Sequence, residues 1–334
     1  MHSSIGLTAL SVSLILLLLC EIAAVAQTQS TSATDNLVTL TVTVTSSQGR
    51  LVGGLTKDDF TITDENVSRV IRSISAADEP MDVGILVDIS ESMNSTAVRQ
   101  IAGRNEILES LSTFVQLSNQ KNQYILMTFG NQLHLLSDWS NDIRPLLERI
   151  PVANEQTHTA FYDALSAAIA RVKAGTNRKK VVLVITDGLD SGSRLKPEEI
   201  RKTLRANDVL VYFLGVVAPP TSIGSISGLP VPLAHIANAR MITGGTQALI
   251  EFAEITGGRA LLIDDSNQMN RMANQIATEL RHQYRVGFEP EFREAGRWRR
   301  LKATMNPRAN STKEFRNLKL RTRKGYYSTT DSKQ

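Results

Sequence analysis

The chain has 334 residues, 42% of them hydrophobic and 21% charged, an ordinary globular composition with room for one large domain or a large and a small one. Aromatics make up only 5%, so the core must be mostly aliphatic, and a single cysteine excludes a disulfide scaffold and a cysteine-built zinc module. The net charge of +4 is uneven: residues 289–334 hold 13 Lys/Arg and 5 Asp/Glu, a balance of +8, while the preceding 288 hold 24 and 28, a balance of −4. No helix-turn-helix or aromatic single-strand motif accompanies the basic end. It is therefore read as solvated strand faces, with an acidic envelope surface as the alternative partner.

The N-terminus has the form of an export signal (1–26). Ile5 to Leu19 is apolar, and Ala24-Val-Ala26 fits a small-x-small cleavage site with Gln27 as the mature start. The run is short for a spanning helix, which needs about 20 residues, so no integral span is expected after cleavage. Cys20 follows Leu19, where a lipoprotein signal would carry a small residue, so lipidation is not the preferred reading. The mature chain then has no cysteine. Residues 27–36 are a Ser/Thr-rich linker.

An N-terminal β segment is expected over 37–78. Val38 to Thr45 alternates apolar residues with Thr, the pattern of a half-buried strand, and Phe60–Thr63 and Val67–Ile74 continue the strand pattern. From Met81 the period changes. Val83–Val87 is an unbroken apolar run, as expected for a strand buried on both faces. Val98, Ile101, Leu108, Leu111 and Val115 then recur at helical spacing. Tyr124–Phe129 and Gln132–Ser137 read as an edge hairpin, with Ser140 as the cap of a short helix after it. Thr159–Val172 reads as a helix, Lys179–Thr186 as a second buried strand, Pro197–Arg205 as a helix and Val209–Val217 as a third strand. Ala218–Met241, with Pro219, Pro220, Pro230 and Pro232, is expected to be an irregular surface flap. A helix over Thr246–Thr256, a strand over Ala260–Ile263 and a last helix over Asn267–Gln283 complete the alternation. The pattern predicts a doubly wound, mostly parallel α/β sheet over 81–283 with helices on both faces. Strand patterns return at Tyr284–Phe288, Trp298–Met305 and Leu318–Tyr327. Each β flank alone is small for a stable core, so the 284–328 segment is expected to pair with the N-terminal one in a β-sandwich.

Two strands end in carboxylates. Asp88-Ile-Ser90-Glu-Ser92 follows the first, and Thr186-Asp187-Gly188 ends the second. Ligands of open parallel sheets bind beyond the carboxyl ends of the strands. Three oxygen side chains on one tight loop suit a hard cation such as Mg2+. The competing reading makes Ser90 or Ser92 a helix cap and Asp187 a turn former.

With Thr159 in the loop before a helix, these pieces resemble a von Willebrand factor type A (VWFA) domain. That family carries a metal-ion-dependent adhesion site of the form Asp-x-Ser-x-Ser, a later Thr and a later Asp. The resemblance implies a metal set of Asp88, Ser90, Ser92, Thr159 and Asp187 for Mg2+ (or Mn2+/Ca2+). The serine and threonine hydroxyls would hold the ion, and the two aspartates would act mainly through water. A position left open would take a partner's carboxylate. Gly54–Phe60, Glu254–Arg259, Leu280–Tyr284 and Arg323–Tyr327 further resemble the VWFA-related proteins abundant in acidobacteria. Thr157-His158 departs from the Gly-Gly often found before the Thr, and Glu91 stands where Gly is common.

The function expected is an exported, periplasmic or extracellular, metal-dependent protein-binding module, not an enzyme, whose protein ligand presents an Asp or Glu carboxylate. No nucleic acid is expected. Two rivals remain at this point. One is a Mg2+-dependent hydrolase or phosphoryl-transfer enzyme with His158 as base; the other is a structural envelope protein with a vestigial site. Neither a Walker motif nor a dinucleotide-binding glycine motif is present. Sequons at Asn66, Asn94 and Asn310 are read as incidental, in keeping with a bacterial source.

Overall fold

The structure, a computed structural model, describes residues 37–153, 158–217, 231–291, 295–306 and 317–328. The export signal, the linker, Thr157, Asn310 and the 218–230 part of the expected flap lie outside them. In chain order the elements are β1 (Val38–Thr45), β2 (Phe60–Asp64), β3 (Val67–Arg69), β4 (Ile71–Ser75), β5 (Met81–Asp88), α1 (Thr96–Ala102), α2 (Arg104–Leu117), β6 (Gln123–Phe129) and β7 (Leu133–Leu135). There follow α3 (Phe161–Lys173), β8 (Lys179–Thr186), α4 (Pro197–Ala206), β9 (Leu210–Val216), α5 (Val231–Thr256), β10 (Arg259–Ile263), α6 (Ser266–Arg281), β11 (Tyr284–Phe288), β12 (Trp298–Met305), β13 (Lys319–Arg321) and β14 (Gly325–Tyr327).

The central sheet runs β10-β9-β8-β5-β6-β7, parallel except for the β6–β7 hairpin at its edge. Its inner strands are uniformly apolar because both faces are covered. Val83, Ile85 and Val87 of β5 and Val181, Leu183 and Ile185 of β8 pack on one side with α1, α2 and α6. Leu86, Val182 and Val184 point to the other side, among Leu165, Ile169, Ile200, Leu204, Leu249 and Phe252 of α3, α4 and α5. Gly84 lets α3 approach: a Cβ there would come within 2.5 Å of the Val172 side chain.

Both flanks enter a β-sandwich. One sheet is β13-β1-β11-β4 and the other β14-β12-β2-β3, so every strand of the C-terminal flank pairs with another flanking strand across the α/β unit or beside it. Leu40, Val42, Phe60, Ile62, Val286 and Phe288 belong to the apolar layer between the sheets. Glu65 and Asn66, both at positive φ, form the two-residue turn between β2 and β3. At the rim Asp64, with no exposed side-chain surface, accepts from Arg299 Nε at 2.8 Å and from the Tyr326 hydroxyl at 3.0 Å. Arg299→Ala leaves that buried carboxylate with the Tyr326 hydroxyl and, as its remaining cation among the described residues, Arg69 Nε at 3.6 Å. We expect it to lower the stability of the chain by about 3–5 kcal/mol, read as the shift of the denaturant midpoint.

Several sequence expectations are corrected. Val67–Ile74 is two strands, broken at exposed Val70, where the chain passes from one sandwich sheet to the other; Leu318–Tyr327 is divided in the same way. The helical stretch after Ser92 is a short 3-10 turn, then α1, then α2, with the break at Gly103. Ser140 caps no helix: it bridges to Tyr124 in extended pairing, and the following 3-10 turn, Arg144–Arg149, is preceded by Ile143. The expected flap is helical from Val231, with Pro232 in the first turn, where its missing N–H has no intrahelical acceptor.

Candidate metal centre

β5 and β8 are adjacent and parallel, which brings Asp88 and the Thr186-Asp187-Gly188 turn to one rim. Asp88 is 2% exposed. Its Oδ1 accepts from the Ser90 backbone N–H at 2.9 Å and from the Ser90 hydroxyl at 2.6 Å, and its Oδ2 accepts from the Thr186 hydroxyl at 2.6 Å. The Thr186 hydroxyl in turn accepts from the Gly188 N–H at 3.0 Å. Asp187 accepts from the Leu189 N–H at 3.0 Å and is hydrogen-bonded by the Ser92 hydroxyl. The Ser90 and Ser92 oxygens lie 3.2 Å apart. Gly188 holds the turn at φ +78°, and a Cβ there would come within 2.8 Å of the Gly245 carbonyl oxygen on α5.

Thr159, 4% exposed, stands on the adjoining loop. Its backbone N–H donates to the Ser191 hydroxyl at 3.0 Å, and its carbonyl accepts from the Ser191 and Gly192 N–H groups, both at 2.9 Å. The next residue, Ala160, donates to the Gly130 carbonyl at 2.7 Å; Gly130 follows Phe129, whose register partner is Asp88. So Asp88, Ser90, Ser92 and Asp187 form one hydrogen-bonded cluster. Thr159 is strapped beside it by backbone bonds, with no hydrogen bond to the cluster among the described residues.

The strapping uses Asp190, Ser191 and Ser193, which sequence reasoning passed over, together with Asp163. Asp190 accepts from the Phe161 N–H at 2.9 Å and the Ser193 hydroxyl accepts from the Tyr162 N–H at 2.9 Å, satisfying the free donors at the start of α3. Asp163 reciprocates by accepting from the Arg194 and Leu195 N–H groups, both at 2.9 Å. The one signal for this was the polar run Asp187–Ser193 itself. The residue preceding α3 is Ala160, so Thr159 is not its cap. His158 is exposed and makes no hydrogen bond to the serine or threonine hydroxyls among the described residues.

The electrostatics are unusual for a turn. Burial, then the neighbouring charge of Asp187, pushes the Asp88 carboxyl up to about 7 against the pull of its hydrogen bonds. Burial also raises Asp187, opposed by the Ser92 and Leu189 donors. Neither carboxylate forms an ion pair among the described residues, nor do three acidic, imidazole or thiol side chains converge anywhere among them. The oxygens gathered here are two carboxylates and the hydroxyls beside them. With both aspartates ionised, the single protons of Ser90 and Ser92 point to their carboxylates. Two oxygens 3.2 Å apart then turn only lone pairs to the space between and beyond them, a donor set that fits a hard cation.

Residues 83–189 match the family model of the von Willebrand factor type A domain, spanning β5 through the Asp187 turn. The chain thus contains a von Willebrand factor type A domain. Among solved structures it is similar to the conserved hypothetical protein BatB from Bacteroides thetaiotaomicron, at 18% identity and TM-score 0.46, covering 60% of this chain and 98% of that one. It is also similar to a von Willebrand factor type A protein from Catenulispora acidiphila, at 9% identity and TM-score 0.45, covering 91% of this chain and 76% of that one. A third is proximal thread matrix protein 1 from the mussel byssus, described with a zinc-occupied MIDAS motif, at 16% identity and TM-score 0.46, covering 65% and 49%. No curated protein matches the chain. Among the described residues no helix is long and apolar enough to cross a membrane.

Proposed function

We propose that this is an exported recognition module that holds a divalent cation, Mg2+ or Mn2+, at the β5–β8 rim and presents it to a carboxylate of a protein partner. Ser90, Ser92 and Thr159 would hold the ion, and Asp88 and Asp187 would orient the serine hydroxyls and balance its charge. The bound ion would supply one electrophilic position for an acidic side chain. The observation that carries this reading is a pair of carboxylates, Asp88 buried and Asp187 half-buried, that have no cationic partner among the described residues and each accept from a serine hydroxyl, Ser90 and Ser92. Neutral hydroxyl ligands leave more charge on the ion than carboxylates would, which favours gripping an anionic side chain over holding the ion passively. The export reading comes from the apolar N-terminal run and the Ala24-Val-Ala26 site, and it puts the module in the periplasm or outside the cell.

Calorimetric titration of the full chain with Mn2+ is expected to show one site. A Glu-containing peptide library on beads should retain the protein with Mn2+ or Mg2+ present and release it with EDTA. A chain that takes up neither ion overturns the proposal.

A further inference from the structure

The basic end of the chain has no part in the metal centre, and the structure gathers much of it in one place. A depression of about 580 Å³ lies between α4, the end of α5 and strand β12, and another of about 820 Å³ lies between β1, β12, β13 and the start of β10. They share Glu254, Leu301, Lys302 and Lys324, so they form one continuous open groove along the seam between the sandwich and the α/β unit. Arg300, Lys302, Lys319, Arg321, Arg323 and Lys324 from the basic end line it, joined by Arg205 and Arg259 from the α/β unit. Among the described residues, Glu251 and Glu254 are the acidic groups on the same walls.

Some of these cations are committed. Arg321 pairs with buried Glu279, which Arg259 also approaches at 3.9 Å; Arg323 pairs with Asp208 at 3.1 Å, Lys324 with Glu254 at 2.8 Å and Arg300 with Glu65 at 3.4 Å. Lys302 and Lys319 are exposed and have no ion pair among the described residues. Arg300 and Lys302, two apart on β12, project from the same sheet face, about 6.6–7 Å along the strand. Neutral hydrogen-bonding groups stand among the charges: Thr45, Gln48 and Gln275.

We propose that this seam is a binding groove for an anionic polysaccharide. An open groove shared by two domains takes a chain, not a small molecule. The ammonium groups of Lys302 and Lys319, free of ion pairs among the described residues, would meet acidic groups along such a chain, and the interspersed hydroxyl and amides would meet sugar hydroxyls. A nucleic acid strand is disfavoured by the lack of a stacking platform. Trp298 is the aromatic ring of the groove, and it is engaged: Arg205 lies over it at 5.9 Å, Tyr327 meets it edge-on at 5.2 Å, and the Gly325 backbone packs against it.

The test is retention of the full chain by immobilised polyuronate and dextran sulfate, against neutral dextran and a single-stranded oligonucleotide. Both acidic polysaccharides should bind, with affinity falling as salt rises, and neutral dextran should not. Lys302→Glu with Lys319→Glu should weaken binding about tenfold and reduce the slope of log affinity against log salt by about one to two. Lys121→Glu with Lys173→Glu, the same charge change away from the groove, should leave binding within twofold. EDTA should leave it unchanged, which separates this groove from the metal centre. Equal loss in both double variants overturns the groove, and tighter binding of the oligonucleotide than of polyuronate overturns the polysaccharide.

Discussion

Leu183→Asp is expected to give no folded protein. Leu183 is fully buried at the middle of β8, between β5 and β9, in the layer packed under α1, α2 and α6. Losing the side chain costs about 2–5 kcal/mol, as in large-to-small core changes. An unpaired carboxylate in the same place adds several kcal/mol more or must be kept protonated. The total approaches the whole stability of an ordinary domain, about 5–15 kcal/mol. Leu183→Ala is the graded control: it should remain folded with a lower denaturant midpoint. Both are read by near-ultraviolet circular dichroism and solubility, and a cooperative melt for Leu183→Asp would mean that β8 is not central.

Asp88→Asn is expected to do the opposite, leaving the fold and removing the proposed function. Asn keeps the shape of the side chain and an oxygen for the Ser90 donors, but not the charge. Metal affinity should fall about 10–100-fold, as when a group supporting metal ligands is lost. The same variant has a pH signature. The Asp88 carboxyl titrates near 7 in the folded protein, above its ordinary value, so the unfolded chain releases this proton first. Its contribution is therefore most favourable at acid pH and is lost as pH rises from about 4 to about 7. In metal-free protein, the melting temperature of the unchanged chain should fall over that window relative to Asp88→Asn, and saturating Mn2+ should abolish the difference. Unchanged Mn2+ affinity in Asp88→Asn would remove Asp88 from the centre.

These two residues also mark what could be read from the chain alone. β5 and β8 were legible because a strand covered on both faces needs apolar residues at every position, and a carboxylate ending such a run stands out. The sandwich crossings at Val70 and between β13 and β14 were not, because a strand that changes sheets stays extended and needs no turn residue. Helical α5 from Val231 was obscured by Pro and Gly, whose breaking tendency counts for little in a first turn or where the helix must pack closely, as Gly245 does against Gly188. At the rim, Asp88, Ser90, Ser92 and Asp187 could be named because their spacing is local to two loops. Thr186, Asp190, Ser191 and Ser193 could not, since each acts on a group about 30 to 100 residues away that only folding brings near.

The α/β unit leaves the sandwich at β4 and returns at β11, and these two strands are paired directly, Ser75 opposite Arg285. Its two connections therefore emerge side by side, braced by Asp78–Arg281 at 2.7 Å and Glu79–Arg285 at 2.9 Å. A pull on the ends of the chain is borne by the sandwich strands before any of it reaches the central sheet. If the module is tethered at one end and grips a partner with its rim, the load crosses from the sandwich to the α/β unit through two braced connections side by side, which resist twisting of one against the other better than a single linker would.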